Sequence, residues 1–287
     1  MLEALITMNL NFSKWQGCGN DFVLADCFAE KIDDFAALAV RICDRHYGVG
    51  ADGLILVLPS AVADFKMRIF NTDGSEAEMC GNGIRCFARY VYETKLTEKT
   101  IFTVETGAGI LTPEILLTAD GKVELVRVNM GQPVLAGDEI PVSGFGMNRV
   151  IDEPLEVLGQ QYKMTCVSMG NPHCVIFVDN IAQVELEKIG ASFEKHSAFP
   201  KKTNTEFVEV KDRQHMRMRV WERGAAITLA CGTGSCATLV AAVLNDKSDR
   251  RAEIELDGGK LVIEWGEDGN VYMSGPAERV FTGTYQI

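Results

Sequence analysis

The sequence predicts two similar α/β (α+β) domains, each made of strands wrapped around a central helix. Three observations predict it. At 287 residues the chain exceeds the usual single-domain size, so two domains of about 130 to 150 residues are the natural expectation. Residues recur at an offset of 151: Gly19-Asn20 falls on Gly170-Asn171, Arg68 on Arg219, Cys80-Gly81 on Cys231-Gly232, Gly83 on Gly234, and Gly53 on Asn204. Finally, Ala237 to Leu244 is apolar on all sides, so its helix must be enclosed by other structure. The expected domains are 1–130 and 131–270, with a C-terminal strand of about 271–287 packing on the first.

The elements follow in order. Asn11 to Lys14 and Phe22 to Asp26 read as short strands on either side of Gly17-Cys18-Gly19-Asn20-Asp21, whose glycines permit a tight turn. A helix is expected from about Asp33 to Asp44, with Asp33 as N-cap and Phe35, Leu38, Ala39 and Ile42 at helical spacing. The glycine-rich stretch Arg45 to Gly53 leads into a strand at Leu54 to Leu58. Phe65 to Phe70 reads as a strand entering the turn Asn71-Thr72-Asp73-Gly74, and a helix begins near Cys80. Strands at Ile101 to Glu105, Ile110 to Leu117 and Lys122 to Val128 follow, and Gly131 to Pro154 reads as the inter-domain crossover. The second half repeats the order. It has strands at Lys163 to Val167 and Cys174 to Asp179, a helix near Val184 to His196, and strands at Glu206 to Val210 and Met216 to Trp221. The helix after Cys231 comes next, then two strands joined by Asp257-Gly258-Gly259 and a last strand at Val271 to Ser274.

Composition narrows the function classes. A 47% hydrophobic and 24% charged chain is an ordinary globular one, and a net charge of -12 opposes binding to a phosphate backbone. No nucleic-acid partner is expected. Nine cysteines, an odd count in a long chain, favour reduced thiols and a cytoplasmic compartment over a disulfide scaffold. Met1 to Thr7 lacks the basic and apolar regions of a signal peptide, and Met8 is an alternative start. The uncharged run Gly224 to Asn245 opens with glycine, threonine and serine, so it reads as a core helix and no membrane partner is expected.

The chemistry lies in the two helix starts. In Cys80-Gly81-Asn82-Gly83 and Cys231-Gly232-Thr233-Gly234 the glycines leave first-turn N–H groups unobstructed, where the helix dipole favours negative charge. A carboxylate can dock there, and the same field favours a thiolate over a free thiol of pKa about 8.5. Opposed across an inter-domain cleft, one cysteine can act as base and the other as acid, inverting a carbon centre beside a carboxylate. A single cysteine in such a place is more often a small buried residue; the matched pair reverses that balance. His173 and Glu222 are candidates for tuning the thiols, although a lone histidine is more often structural. Asn20, Asn71, Asn82, Asn171 and Asn204 fall in loops or helix starts, where turn formation competes with ligand binding. Arg223 can fork onto a second carboxylate or be solvated. Metal binding fits poorly, because Cys80/Cys86 and Cys231/Cys236 lack close CxxC spacing. The glycine loops match neither GxGxxG nor the P-loop.

At these residues the chain resembles the diaminopimelate epimerase family, over nearly its whole length from Asn11. The motifs are Gly17-Cys18-Gly19-Asn20-Asp21-Phe22, Arg45 to Gly53, and Phe70 to Ser75 leading to Cys80-Gly81-Asn82-Gly83. In the second half they are Met169-Gly170-Asn171-Pro172-His173-Cys174, Trp221-Glu222-Arg223-Gly224 and Ala230 to Gly234. The resemblance implies two pseudo-symmetric domains, each a mostly antiparallel strand barrel around a central helix, closing over the substrate. It implies a homodimer and a cofactor-independent interconversion of LL- and meso-2,6-diaminopimelate in lysine biosynthesis. By that resemblance Cys80 and Cys231 are the acid/base pair, and His173 and Glu222 modulate them. Gly81, Asn82, Gly232 and Thr233 would bind the reacting carboxylate, while Asn20, Gly53, Asn71, Asn171, Asn204, Glu222 and Arg223 would line the rest of the substrate site. Two positions depart from the family pattern. Ala226 and Ile227 stand where the family usually has glycine and a polar residue, and a glycine of positive φ there would make alanine costly. Gly53 offers no side chain where some members carry a ligand. A proline-racemase-like enzyme would use the same two cysteines without a second amino-acid site, and a non-catalytic amino-acid-binding or thiol-redox protein is the reading from another class.

Overall fold

The computed structural model describes residues 9–28, 32 and 34–287; the Asp33 cap and the Met8 start lie outside them. The chain forms two compact units, one running to Val128 and resuming at Pro276–Ile287, the other Asn129–Gly275.

The first unit contains β1 (Asn9–Gly17), β2 (Asn20–Asp26), α1 (Phe35–Ile42), β3 (Gly53–Leu58), β4 (Phe65–Asn71), β5 (Glu76–Ala77), α2 (Gly81–Glu93), β6 (Val104–Thr106), β7 (Gly109–Leu111), β8 (Glu114–Leu117) and β9 (Val123–Asn129). The second contains β10 (Glu153–Val157), β11 (Gln160–Ser168), β12 (Pro172–Phe177), α3 (Leu186–Glu194), β13 (Asn204–Asp212), β14 (His215–Glu222), β15 (Ala226–Ile227), α4 (Gly232–Leu244), β16 (Arg251–Leu256), β17 (Gly259–Trp265) and β18 (Val271–Gly275). A further strand, β19 (Glu278–Gln286), returns to the first unit and pairs antiparallel with β1.

The two sheets repeat one plan. The first runs β19-β1-β2-β3-β4-β6-β7 and the second β10-β11-β12-β13-β14-β16-β17-β18, with β5 and β15 as short additions to β4 and β14. Most pairs are antiparallel, and the parallel ones fall at equivalent places: β2 with β3 and β12 with β13, then β4 with β6 and β14 with β16. Even the register repeats at the 151-residue offset. Phe22 pairs with Gly53 as His173 does with Asn204, and Phe70 with Glu76 as Trp221 does with Ile227.

Each sheet is covered on both faces. In the first unit Val23, Ala25, Leu54 and Leu56 pack with Leu38, Ala39 and Ile42 of α1, and α2 packs on β1, β2, β3 and β4. In the second, Cys174, Ile176 and Phe207 pack with Leu186 and Phe193 of α3, while α4 packs on β11, β12, β13, β16, β17 and β18. Strands buried on both faces become continuous apolar runs, which is how they read in the sequence. The start of α4 is a poor helix former, since a glycine costs about 1 kcal/mol relative to alanine. Burial of Leu239 and Val240, both 0% exposed, offsets this at about 2 kcal/mol each. Among the described residues no helix is long and apolar enough to cross a membrane.

Several elements differ from the expectation. Asp34 caps α1 by accepting from Ala37 N–H at 2.9 Å. The expected strand at Ile110 to Leu117 is broken into β7 and β8 around Pro113, which has no N–H for the ladder. The segment read as a crossover is part of the second unit's core: Ile140, Val142 and Val150 are at most 2% exposed and join the α3 cluster. Where one C-terminal strand was expected at about 271–287 there are two, β18 and β19, separated at Pro276 and Ala277.

Candidate functional site

In the first unit the β1–β2 hairpin turns through Cys18 and Gly19, both at positive φ (52° and 81°), and delivers Asn20 to the first position of β2. Positive φ at both central residues matches the twist of a two-residue hairpin. Cys80, half-buried, is the N-cap of α2, and its Sγ donates to Asn20 Oδ1 at 3.6 Å. The same oxygen accepts from Asn82 Nδ2 at 3.1 Å. Its orientation is set from behind, because Asn20 Nδ2 donates to Asp52 Oδ2 at 2.7 Å and Asp52 also accepts from Arg45 at 2.8 Å. Burial alone would raise the Asp21 carboxyl beside them, but hydrogen bonds from Arg45 and Lys14 hold it down at about 2. Arg85, 0% exposed, braces the helix start by donating to Gly81 O and to Asn82 Oδ1, each at 2.9 Å.

Two expected residues of this unit stand apart from that cluster. Asn71 donates to Ser75 Oγ at 2.9 Å and closes the turn after β4. Gly53 is buried, and a Cβ there would lie 2.9 Å from Phe70 O, so the close β3–β4 approach itself demands glycine.

In the second unit Cys231 is the N-cap of α4 and is 5% exposed. Its Sγ accepts from Gly234 N–H at 3.3 Å and lies 3.6 Å from Thr233 Oγ1. Asn171 donates through Nδ2 to Thr233 Oγ1 at 3.2 Å, and its Oδ1 is 3.0 Å from His173 Nε2. The other ring nitrogen, Nδ1, is 2.7 Å from Glu206 Oε1, and both residues are 0% exposed. Asn204, 4% exposed, accepts from Arg223 N–H and donates to Pro172 O, each at 2.8 Å. Its amide therefore ties two loops together, while the exposed Arg223 guanidinium donates to Lys201 O at 3.1 Å.

Electrostatics in this unit oppose a resting thiolate. Burial first, then the Glu222 and Glu206 carboxylates, push the Cys231 thiol well above its ordinary value, against hydrogen bonds from Thr233 and Gly234. The expectation that the helix start favours a thiolate is corrected here, since two N-terminal donors do not outweigh desolvation and two anions. Burial also raises the Glu222 carboxyl, and the Glu206 charge adds to it, against the Thr228 hydroxyl that donates to Glu222 Oε1.

Three residues escaped the sequence reading. Asp52 lies in the glycine-rich stretch, Arg85 in the helix after Cys80, and Glu206 at the start of an expected strand. The offset held a signal for two of them. Arg85 falls on Cys236 and Glu206 on Ile55, so a buried charge in one copy faces an apolar residue in the other. Among the described residues no group of three His, Cys, Asp or Glu side chains is placed to hold a metal ion.

Comparison with known proteins gives the chain its family. The profile described as diaminopimelate epimerase matches residues 12–136 and 165–280. A diaminopimelate epimerase of Pelotomaculum thermopropionicum is 56% identical over 96% of this chain and 99% of that relative. One of Agathobacter rectalis is 54% identical over 97% of this chain and 100% of its own length. Among solved structures, a Bacillus anthracis phenazine biosynthesis protein of the PhzF family superposes with a TM-score of 0.69 at 19% identity, covering 98% of this chain and 99% of that one. A hydroxyproline epimerase from Agrobacterium vitis superposes with a TM-score of 0.66 at 14% identity, covering 99% and 93%. These last two share the fold.

Proposed function

The chain belongs to the diaminopimelate epimerase family, and from that premise we propose that it interconverts LL- and meso-2,6-diaminopimelate by exchanging the proton on one α-carbon, without a cofactor. The observation that carries the reading is the repeated Cys-Gly helix start, one in each unit, each with its own set of hydrogen-bonded neighbours.

Inverting an α-carbon asks for a base on one face and an acid on the other. In the resting chain both sulfurs hold a proton: Cys80 Sγ donates to Asn20 Oδ1, and Cys231 is kept a thiol by burial and two carboxylates. In one direction Glu222 takes the Cys231 proton, the freed thiolate removes the substrate α-proton, and the Cys80 S–H delivers its own proton to the carbanion. Cys80 ends as the thiolate and Cys231 as the thiol. The proton left on Glu222 returns to Cys80 through solvent as product leaves, and the reverse direction runs the same steps backward, so protons balance over the cycle. First-turn N–H groups at Gly81, Asn82, Gly232 and Thr233 would hold the carboxylate beside the carbanion, where negative charge develops. Asn20, Asn71 and Asn171 would contact the rest of the substrate with Arg223, and Asn204 would act by fixing the backbone of Arg223. His173 would modulate Cys231 through Asn171. The reaction serves lysine biosynthesis, and we assign the protein to the cytoplasm as a homodimer.

The test is solvent exchange. LL-diaminopimelate incubated with the protein in D₂O, with nothing else added, should gain deuterium at one α-carbon. Cys80→Ala and Cys231→Ala should each abolish interconversion, because neither unit alone supplies both acid and base. Absence of label uptake with the unaltered protein would overturn the reading. Size in solution, by light scattering, checks the dimer.

A further inference from the structure

Glu206 enters the reaction just described only as a charge that helps keep Cys231 a thiol, and the fold does not ask for it. At the equivalent place of the first unit stands Ile55, in the same register of β3, and His173 is matched by Phe22. The position under the helix start is the same in both units: a Cβ at Gly83 would meet Ile55 Cδ1 at 3.2 Å, and one at Gly234 would meet Glu206 Oε1 at 2.7 Å. An apolar pair therefore fills this space in one unit, yet the second carries a carboxylate and an imidazole there, both 0% exposed. Glu206 Oε2 moreover has no hydrogen-bond partner. Burying a charge with one oxygen unpaired is costly, and a hydrophobic pair of similar volume is often the more stable choice.

The cost has a geometric return. With the ring donating through Nδ1–H to Glu206 Oε1 and through Nε2–H to Asn171 Oδ1, both of which only accept, its orientation is fixed. The Asn171 amide is then held between the ring and Thr233 Oγ1, and that hydroxyl lies 3.6 Å from Cys231 Sγ. Gly234 makes the arrangement possible, since a Cβ there would also crowd Cys231 Sγ at 3.1 Å.

We propose that Glu206 is a positioning residue for proton transfer at Cys231, acting as the acceptor that fixes the His173 ring and, through Asn171 and Thr233, the hydrogen-bonding environment of the sulfur. The proposal rests on the epimerase reading above. The suppressed ionisation of Cys231, to which the Glu206 charge adds after burial and Glu222, is in keeping with so close a placement.

The test compares E206Q, E206I, H173F and E206I/H173F with the unaltered protein by kcat, KM and melting temperature. E206I, which copies the first unit, should fold with an undiminished melting temperature, lose about 100-fold in kcat and change KM by less than about threefold. E206Q keeps an acceptor for Nδ1–H and should stay within about tenfold of the unaltered kcat. E206I/H173F should be no slower than either single variant, because residues acting as one unit are non-additive. E206I turning over within about twofold of the unaltered protein would overturn the proposal. So would E206Q slower than the unaltered protein by about 100-fold or more, an outcome readable even if the isoleucine variant failed to fold. An unaltered protein that exchanges no deuterium would overturn the epimerase reading itself, a result distinct from either.

Discussion

At the scale of single residues, the informative ones are those whose surroundings contradict their type. Ala226 is an example: the family pattern pointed to a glycine at this place, and the structure gives the alanine a φ of 59°. An L side chain in that left-handed region costs about 1 kcal/mol relative to glycine. A226G should therefore raise the melting temperature by about 2–4 °C, read by calorimetry; an unchanged or lower value would show that the β14–β15 turn carries no strain. Cys80 and Cys231 were legible because a helix start is a backbone property, written locally in the glycines that follow each cysteine. Glu206 and Arg85 were not, because a charge on a strand or helix reads as solvated until the packing around it is known. Burial of Cys231 itself, followed by the Glu222 and Glu206 charges, reverses its expected ionisation.

At the scale of elements, apolar spacing revealed the helices and most of the strands, while ends and short edges were lost. β5 and β15 have two residues each, too few for any periodicity. β19 is mostly exposed and shows no clear alternation, so its bounds within the C-terminal strand expected at about 271–287 come from its pairing with β1. The packing of α3 on β14 is equally invisible in sequence. Gly190 on α3 lies against Trp221, and a Cβ there would fall inside the indole ring. Trp221 Nε1 also donates to Glu194 on the same helix at 2.8 Å, so the ring has no easy escape. G190A should cost about 1–3 kcal/mol by overpacking. Because Trp221 adjoins Glu222, kcat should fall together with the urea midpoint. A variant with unaltered stability and activity would show that the ring moves freely.

At the scale of the whole molecule, stability should depend on pH through groups that have nothing to do with the reaction. Burial pushes the thiols of Cys43 and Cys86 from an ordinary 9.0 up to about 12. A raised pKa means the folded chain holds the proton more tightly, so this contribution is whole below pH 9 and is lost as the pH climbs toward 12. Asp21 works in the opposite sense. Held down at about 2 from an ordinary 3.8, it stabilises the fold above that ordinary value and ceases to do so as the pH falls toward 2. Urea unfolding should show a plateau between these limits, with a C43A/C86A variant flattening the alkaline limb alone. An alkaline limb unchanged in that variant would refute the assignment. The duplication belongs to this scale too. The sequence by itself determined the doubled plan, the two cysteine-capped helices and the enclosed character of α4, because turns, caps and apolar periodicity are local and survive in the order of residues. Only the tertiary structure decided that the two copies differ: a buried His173–Glu206 pair in one, Phe22 and Ile55 in the other, and Cys231 held as a thiol. Those outcomes depend on which side chains meet in a dry interior, and that is set by contacts between strands distant in the chain.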